Sequence, residues 1–213
     1  MDVVLFTGLK GSGKDTAAQC LIDRGWVGLA FADPLKSMAL AVDPIVEVDV
    51  AACEKMSSGS LEKIVGRVMV KVAQGDLSGS YFRLKELVDL VGWEEAKKAA
   101  DVRRFLQRLG KEGVRDHLGQ NTWVDPALVS AVDLVDAGFK VVVKDARFDN
   151  ECEAFRNLTE CLACVYEIQR PGIEPDGHSS EAGVSKHLLD GTIINDGPVE
   201  DLHRKVLELV EAG

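Results

Sequence analysis

The sequence predicts an α/β fold in which a five-stranded parallel sheet is flanked by helices. Three observations carry that expectation. Short apolar runs alternate with longer stretches whose apolar residues recur at helical spacing. A glycine-rich turn, Gly8–Thr16, joins the first apolar run to the first helical stretch. The order strand, helix, strand then repeats toward the C-terminus. Strands separated by helices take right-handed crossovers, which cover both faces of a parallel sheet.

Val3-Val4-Leu5-Phe6 marks the first strand, about residues 2–7, and residues 14–24 the first helix. Trp26 to Ala32 is apolar and short, a second strand. Asp33-Pro34 then opens a helix, since aspartate suits the N-cap and proline the first helical position. That helix ends near Val42, before Asp43-Pro44. Residues 45–120 read as mostly helical: Leu61, Ile64, Val65, Val68, Met69 and Val72 share a face, and 84–91 and 94–117 continue in that style. Thr122 to Ala137 is another helix, stopped by Gly138. Phe139 to Lys144 is a third strand and 149–157 a short helix. Cys161 to Gln169 forms the fourth strand. Residues 170–187, rich in Gly, Pro, Ser and charge, read as a loop. Thr192 to Asn195 is the fifth strand and Pro198 to Ala212 the last helix.

A chain of 213 residues, 46% hydrophobic, makes one sizeable domain with room for an insertion. The net charge of −10 argues against polymeric DNA or RNA, which calls for a basic face. A small phosphorylated substrate stays compatible, because a few cations focus a local site. The odd set Cys20, Cys53, Cys152, Cys161 and Cys164 contains a single C-x-x-C pair, so packed, reduced thiols in a cytoplasmic protein are expected. The chain opens directly on a strand, with no secretion signal expected before it and no apolar run of membrane-spanning length.

The turn Gly8-Leu9-Lys10-Gly11-Ser12-Gly13-Lys14-Asp15-Thr16 has the spacing G-x-x-x-x-G-K. Successive backbone N–H groups in such a turn point inward at phosphate oxygens, and the following helix N-terminus adds a partial positive charge. The glycines remove side chains that would block a phosphate, and Lys14 reaches the outer phosphates. A nucleoside triphosphate with Mg²⁺ is the expected ligand. Asp15 stands where Ser or Thr usually follows the lysine, so the metal falls to Thr16, or to Asp15 directly or through water.

Ligands of parallel sheets bind at the carboxyl ends of the strands. Gly8–Thr16, Asp33–Lys36, Asp145–Arg147, Arg170 and Asn195–Gly197 each follow one strand, so all five are expected to rim one cleft. The stretch between the second and third strands is too long for a simple crossover and caps the substrate side. Asp33 and Lys36 read equally as a helix cap with a solvated lysine or as a phosphate contact. Asp145 is placed to organise metal-bound water, and the Arg147 fork suits two phosphate oxygens. Arg103, Arg104, Arg108 and Arg115 are anion contacts or solvated charges paired with Asp101, Glu112 and Asp116. Trp123 stacks on a base or sits in a core. His178 and Glu181 order a loop or do nothing, since an acceptor phosphate is already ionised near neutral pH.

Together with the first motif, Phe31-Ala-Asp-Pro-Leu-Lys36, Leu106-Gln-Arg-Leu-Gly-Lys-Glu-Gly-Val-Arg115 with Trp123-Val124, Asp145-Ala-Arg-Phe-Asp-Asn-Glu151, His178-Ser-Ser-Glu181 and Ile194-Asn-Asp-Gly197 resemble, in order across nearly the whole chain, the deoxynucleoside monophosphate kinases of bacteriophages. The resemblance implies a P-loop kinase with a core at about 1–44 and 138–213, a helical substrate-binding region at about 45–137 and a lid at about 170–187. It implies ATP and Mg²⁺, a deoxynucleoside monophosphate as acceptor, and a monomer or homodimer in the host cytoplasm. Gly8–Thr16 then resembles the ATP phosphate loop, with Arg170, Asn195 and Gly197 around the donor. Lys14, Asp145 and Arg147 stand at the reacting phosphates. Asp33, Lys36, Arg104, Gln107, Arg115 and Trp123 fall on the substrate side. Lys111 stands where relatives often carry a small hydroxyl residue.

Two rivals share part of the pattern. Phosphomevalonate kinases have a similar Gly-Lys-Asp loop and Asp-x-Arg segment. A nucleotide switch would use D-x-x-G, seen in Asp89–Gly92 and Asp116–Gly119, but both lie in helical stretches and the guanine-reading Asn-Lys-x-Asp is missing.

Overall fold

The computed structural model describes residues 1–49, 55–75, 80–174 and 183–212. In chain order the elements are β1 (Val3–Thr7), α1 (Lys14–Ile22), β2 (Val27–Leu29), α2 (Asp33–Val42), β3 (Ile45–Glu47), α3 (Ser58–Ala73), β4 (Tyr81–Arg83), α4 (Leu84–Val91), α5 (Trp93–Ala96), α6 (Ala100–Arg108), a π-helical segment (Leu109–Arg115), α7 (Asp116–Leu118), α8 (Val124–Asp136), β5 (Val141–Val143), α9 (Asp149–Arg156), β6 (Ala163–Gln169), β7 (Gly191–Ile194) and α10 (Val199–Ala212). They form two compact units, residues 1–33 with 121–213, and residues 34–120.

The first unit holds the parallel sheet in the order β2-β5-β1-β6-β7. Val3, Val4 and Leu5 face Val141, Val142 and Val143 on one side and Ala163, Cys164 and Val165 on the other. Because all five strands run parallel, their carboxyl ends share one edge. Side chains alternate across a strand, so neighbours enter different cores. Val3 and Leu5 pack with Ala127 and Ala131 of α8 and with Cys152 and Phe155 of α9. Val4 and Phe6 pack with Ala17, Ala18 and Leu21 of α1 and with Leu202 and Val206 of α10. Phe6 and Phe155 are fully enclosed, each worth about 1.5–3 kcal/mol of apolar burial.

The second unit has its own core, in which Val46, Ile64, Phe82, Leu84, Leu87 and Val102 meet. Helix α3 starts where the Ser57 hydroxyl accepts from the Ser60 N–H at 3.3 Å. The mostly helical expectation for 45–120 misses the antiparallel pairing of β3 with β4, in which Val46 lies opposite Phe82. Each of those strands is three residues long, too short for a period-2 pattern to stand out beside long helices.

Two boundaries differ from the sequence expectation. Helix α8 belongs to the first unit, where it covers the sheet, rather than to a helical region reaching residue 137. The first unit also stops at Asp33, so all of α2 beyond that residue belongs with the second. Of the expected lid at 170–187, residues 175–182 lie outside the described residues, and so do His178 and Glu181. Residues 183–187 are docked: the Ser185 N–H and hydroxyl donate to the Asp149 carboxylate at 2.7 and 2.6 Å, and Val184 packs on the core.

Candidate active site

The turn after β1 is built by its glycines. Gly8 has φ +132°, and a Cβ there would sit 2.3 Å from the Ile168 carbonyl oxygen of β6. Gly13, with φ +107°, precedes α1, and a Cβ there would meet Asn195 Nδ2 at 2.5 Å. An L side chain at either place is strained in conformation and in space. The glycines thus let the turn lie flat on β6 and against the loop after β7. Asn195 closes that contact, its Nδ2 donating to the Ser12 carbonyl at 2.8 Å. Ser12 itself is buried.

Lys14 is 8% exposed and folds back over the turn, its Nζ donating to Gly8 O at 2.5 Å and Leu9 O at 2.8 Å. These carbonyls hold the ammonium over the turn. An anion there offers the same proton donor a charge-assisted bond of greater strength.

A cavity of about 250 Å³ opens at this edge. Gly11, Gly13, Lys14, Asp15 and Thr16 line it from the turn, with Arg170 after β6 and Asn195 and Gly197 after β7. These residues, separated by some 180 positions in the chain, were all expected on the donor side. Leu9 and Arg170 also line an adjoining cavity of about 320 Å³ with Ser12, Ile173 and Ile194. Sequence reasoning missed Val199 and Leu202, which form an apolar wall of the first cavity from the start of α10. Their i, i+3 spacing was the available signal. Lys205 braces the same loop, donating to Ile194 O at 2.9 Å and to Asp196 Oδ1 at 2.8 Å.

Asp15 is exposed and Thr16 half-buried, and both present hard oxygens to the cavity. Among the described residues no three His, Cys, Asp or Glu gather as a cage. That donor set suits Mg²⁺, which keeps several waters and shares substrate phosphates rather than filling its shell from protein.

Asp145 follows β5 at the same edge. Its carboxylate accepts from the Phe31 N–H at 2.9 Å, tying β5 to the turn after β2. Burial pushes its carboxyl up from the ordinary range, against the Phe31 amide and the Arg147 charge, while Asp33 adds to the rise. Asp33 opens α2 directly after that turn, and its carboxylate accepts from the Ala30 N–H at 3.1 Å. Arg147, two residues on, is exposed. Its backbone N–H and that of Phe148 donate to Glu151 Oε2 at 2.7 and 3.1 Å.

The acceptor-side residues divide between the units. Trp123 belongs to the first unit and is buried, 6% exposed. In the second unit Lys36 is half-buried on α2, and Arg115 half-buried at the end of the π-helical segment. Gln107 and Arg104 are exposed on α6. Arg104 pairs with Asp101 at 2.8 Å, and Arg108 with Glu112 at 3.2 Å, the solvated pairing left open by the sequence. Arg104 and Arg108 nevertheless flank a cavity of about 540 Å³ floored by Ile45, Val46, Phe105 and Leu109. The Leu109–Arg115 stretch of that wall is π-helical, a widened turn that recurs at functional sites.

Residues 42–206 match the family model described as deoxynucleotide monophosphate kinase. A putative deoxynucleotide monophosphate kinase of Acanthamoeba polyphaga mimivirus is 28% identical, over 99% of this chain and 97% of its own length. The deoxynucleotide monophosphate kinase of Enterobacteria phage T4 is 25% identical, over 97% of both chains. Among solved structures, a dephospho-CoA kinase from Campylobacter jejuni aligns at 17% identity and a TM-score of 0.43, over 99% of this chain and 96% of that one. The family match spans more than three quarters of the residues and includes the acceptor-side motif, the Asp-x-Arg turn and the loop after β7, so the chain is a kinase that belongs to the deoxynucleotide monophosphate kinase family.

Proposed function

We propose that this kinase transfers the γ-phosphoryl group of ATP to a deoxynucleoside 5′-monophosphate, giving the diphosphate and ADP. The observation that supports it most is the 250 Å³ cavity, where the glycine-rich turn, Arg170, Asn195 and Gly197 converge at the carboxyl edge of the sheet. The backbone amides of the turn hold the triphosphate, with Lys14 released from Gly8 O and Leu9 O to the outer phosphates. Val199 and Leu202 offer the base an apolar wall. Asp15 and Thr16 would hold Mg²⁺, which offsets phosphate charge. Arg147 neutralises charge on the group in transit, and Asp145 orders the edge beside it. The second unit carries the acceptor, through Lys36, Arg104, Gln107 and Arg115.

Both substrates are anions, so the barrier is mainly alignment and charge neutralisation. The acceptor phosphate needs no general base, being ionised already. Family membership leaves the switch reading without support. The test is ADP release with dAMP, dGMP, dCMP, dTMP and their ribose counterparts, with phosphomevalonate as a further arm. Release that depends on a deoxynucleoside monophosphate is the expected result. Release with phosphomevalonate alone, or none with any acceptor, overturns the proposal.

A further inference from the structure

Three carboxylates lie within the seven residues Asp145–Glu151, and each grips a different piece of backbone. Asp145 takes the Phe31 N–H, Asp149 takes Ser185, and Glu151 takes Arg147 and Phe148. Glu151 is the most enclosed residue of the three, only 4% exposed. As the third residue of α9 it reaches back to the residue before the helix, one half of a capping box. A cap alone needs neither feature that sets this glutamate apart. An exposed glutamate caps a helix without the desolvation that burial imposes. A cap also stops at the Phe148 N–H, whereas Glu151 holds the Arg147 N–H more closely, at 2.7 against 3.1 Å. Arg147 lies outside the helix, with an exposed side chain on a backbone gripped from below.

We propose that Glu151 is a positioning residue for Arg147: its buried carboxylate fixes the backbone from which the guanidinium reaches the transferring phosphoryl group. The proposal rests on the phosphoryl-transfer reading above. A long, exposed side chain has many rotamers, and anchoring its base is what keeps its far end on target. Displacement of a charge-stabilising group by about 1 Å costs roughly 10²-fold in rate.

The test is a double-mutant cycle on steady-state transfer. Glu151→Ala is expected to lower kcat by about 10²-fold while KM for ATP moves less than about threefold, because the triphosphate loop is untouched. Glu151→Gln is expected to keep most activity, since both N–H groups bond the same oxygen and an amide oxygen accepts both. Glu151→Asp keeps the charge in a folded protein but withdraws the acceptor by one methylene, and is expected to lose about tenfold. In the Arg147→Ala background each Glu151 change is expected to move kcat less than about twofold. Losses equally large in that background, or carried by KM for ATP, overturn the proposal and leave the transfer reading standing. A near-normal Arg147→Ala enzyme removes the assigned role of Arg147 and this proposal with it.

Discussion

The two units of this kinase answer differently to the same kind of sequence motif. In the first, residues from three separate loops meet around one cavity: Gly11–Thr16, Arg170, and Asn195 with Gly197. In the second, the motif 106–115 lies along α6 and the π-helical segment, and only part of it turns toward a cavity. A parallel sheet brings every strand end to one edge, so loops far apart in sequence become neighbours by topology. A helix spreads consecutive residues around its axis, so a contiguous motif divides between faces. Lys14 and Arg104 make the contrast concrete. Lys14 is buried and held by two carbonyls, whereas the Arg104 side chain is 68% exposed and paired with an oxygen of the half-buried Asp101 at 2.8 Å.

The sharpest way to break that comparison is Lys14→Met. Transfer is expected to fall roughly 10²–10³-fold, with the far-ultraviolet circular dichroism spectrum unchanged. Near-normal turnover would mean that Lys14 does not carry the charge assigned to it. Gly8→Ala comes next, because its Cβ meets backbone at Ile168 rather than a yielding side chain. A loss of about 2–4 kcal/mol is expected in denaturant titrations, from strain and overlap together. A variant as stable as the parent would show that the turn and β6 separate freely.

Arg104→Ala sharpens the comparison from the other side. Its exposed ion pair contributes no more than about 0.5 kcal/mol to stability, yet KM for the deoxynucleoside monophosphate is expected to rise about tenfold, or ~1.4 kcal/mol. Unchanged KM for both substrates would leave Arg104 as surface charge. The smallest effect is expected for Asp149→Asn. Hydrogen bonds from the Ser185 hydroxyl and N–H hold the Asp149 carboxyl below its ordinary range. A lowered carboxyl stabilises the fold above the ordinary aspartate pKa, about 3.9, and that contribution fades as pH falls through it. The Tm deficit of the variant should therefore be present near neutral pH and vanish in acid. A deficit that persists at pH 2–3 would assign it to packing instead.

Much of the first unit was legible in the sequence. Val3–Phe6 and Val141–Val143 are unbroken apolar runs and Cys164–Ile168 is interrupted only by Glu167, enough to announce buried strands, and the glycine-rich turn names its own conformation. Less was legible in the second unit. The three-residue strands Ile45–Glu47 and Tyr81–Arg83 pair across an intervening helix, and nothing local marks their register. Leu109–Arg115 reads as plain α-helix, because a π-helical turn differs in hydrogen bonding rather than in apolar pattern. Trp123 reads from the sequence either as core or as a base-stacking ring, and the structure adds that it is buried.

The sequence by itself determined the alternation of strands and helices, the glycine-rich turn after β1 and the strand ends that gather at one edge. Those follow from local hydrophobic period, glycine conformation and the handedness of crossovers, all readable within a few dozen residues. Only the tertiary structure decided that Val199 and Leu202 wall the cavity, that Asn195 binds the turn across 183 residues, and that Glu151 is buried beneath Arg147. Such contacts join residues with no fixed spacing, and their geometry exists only once the sheet has placed the loops.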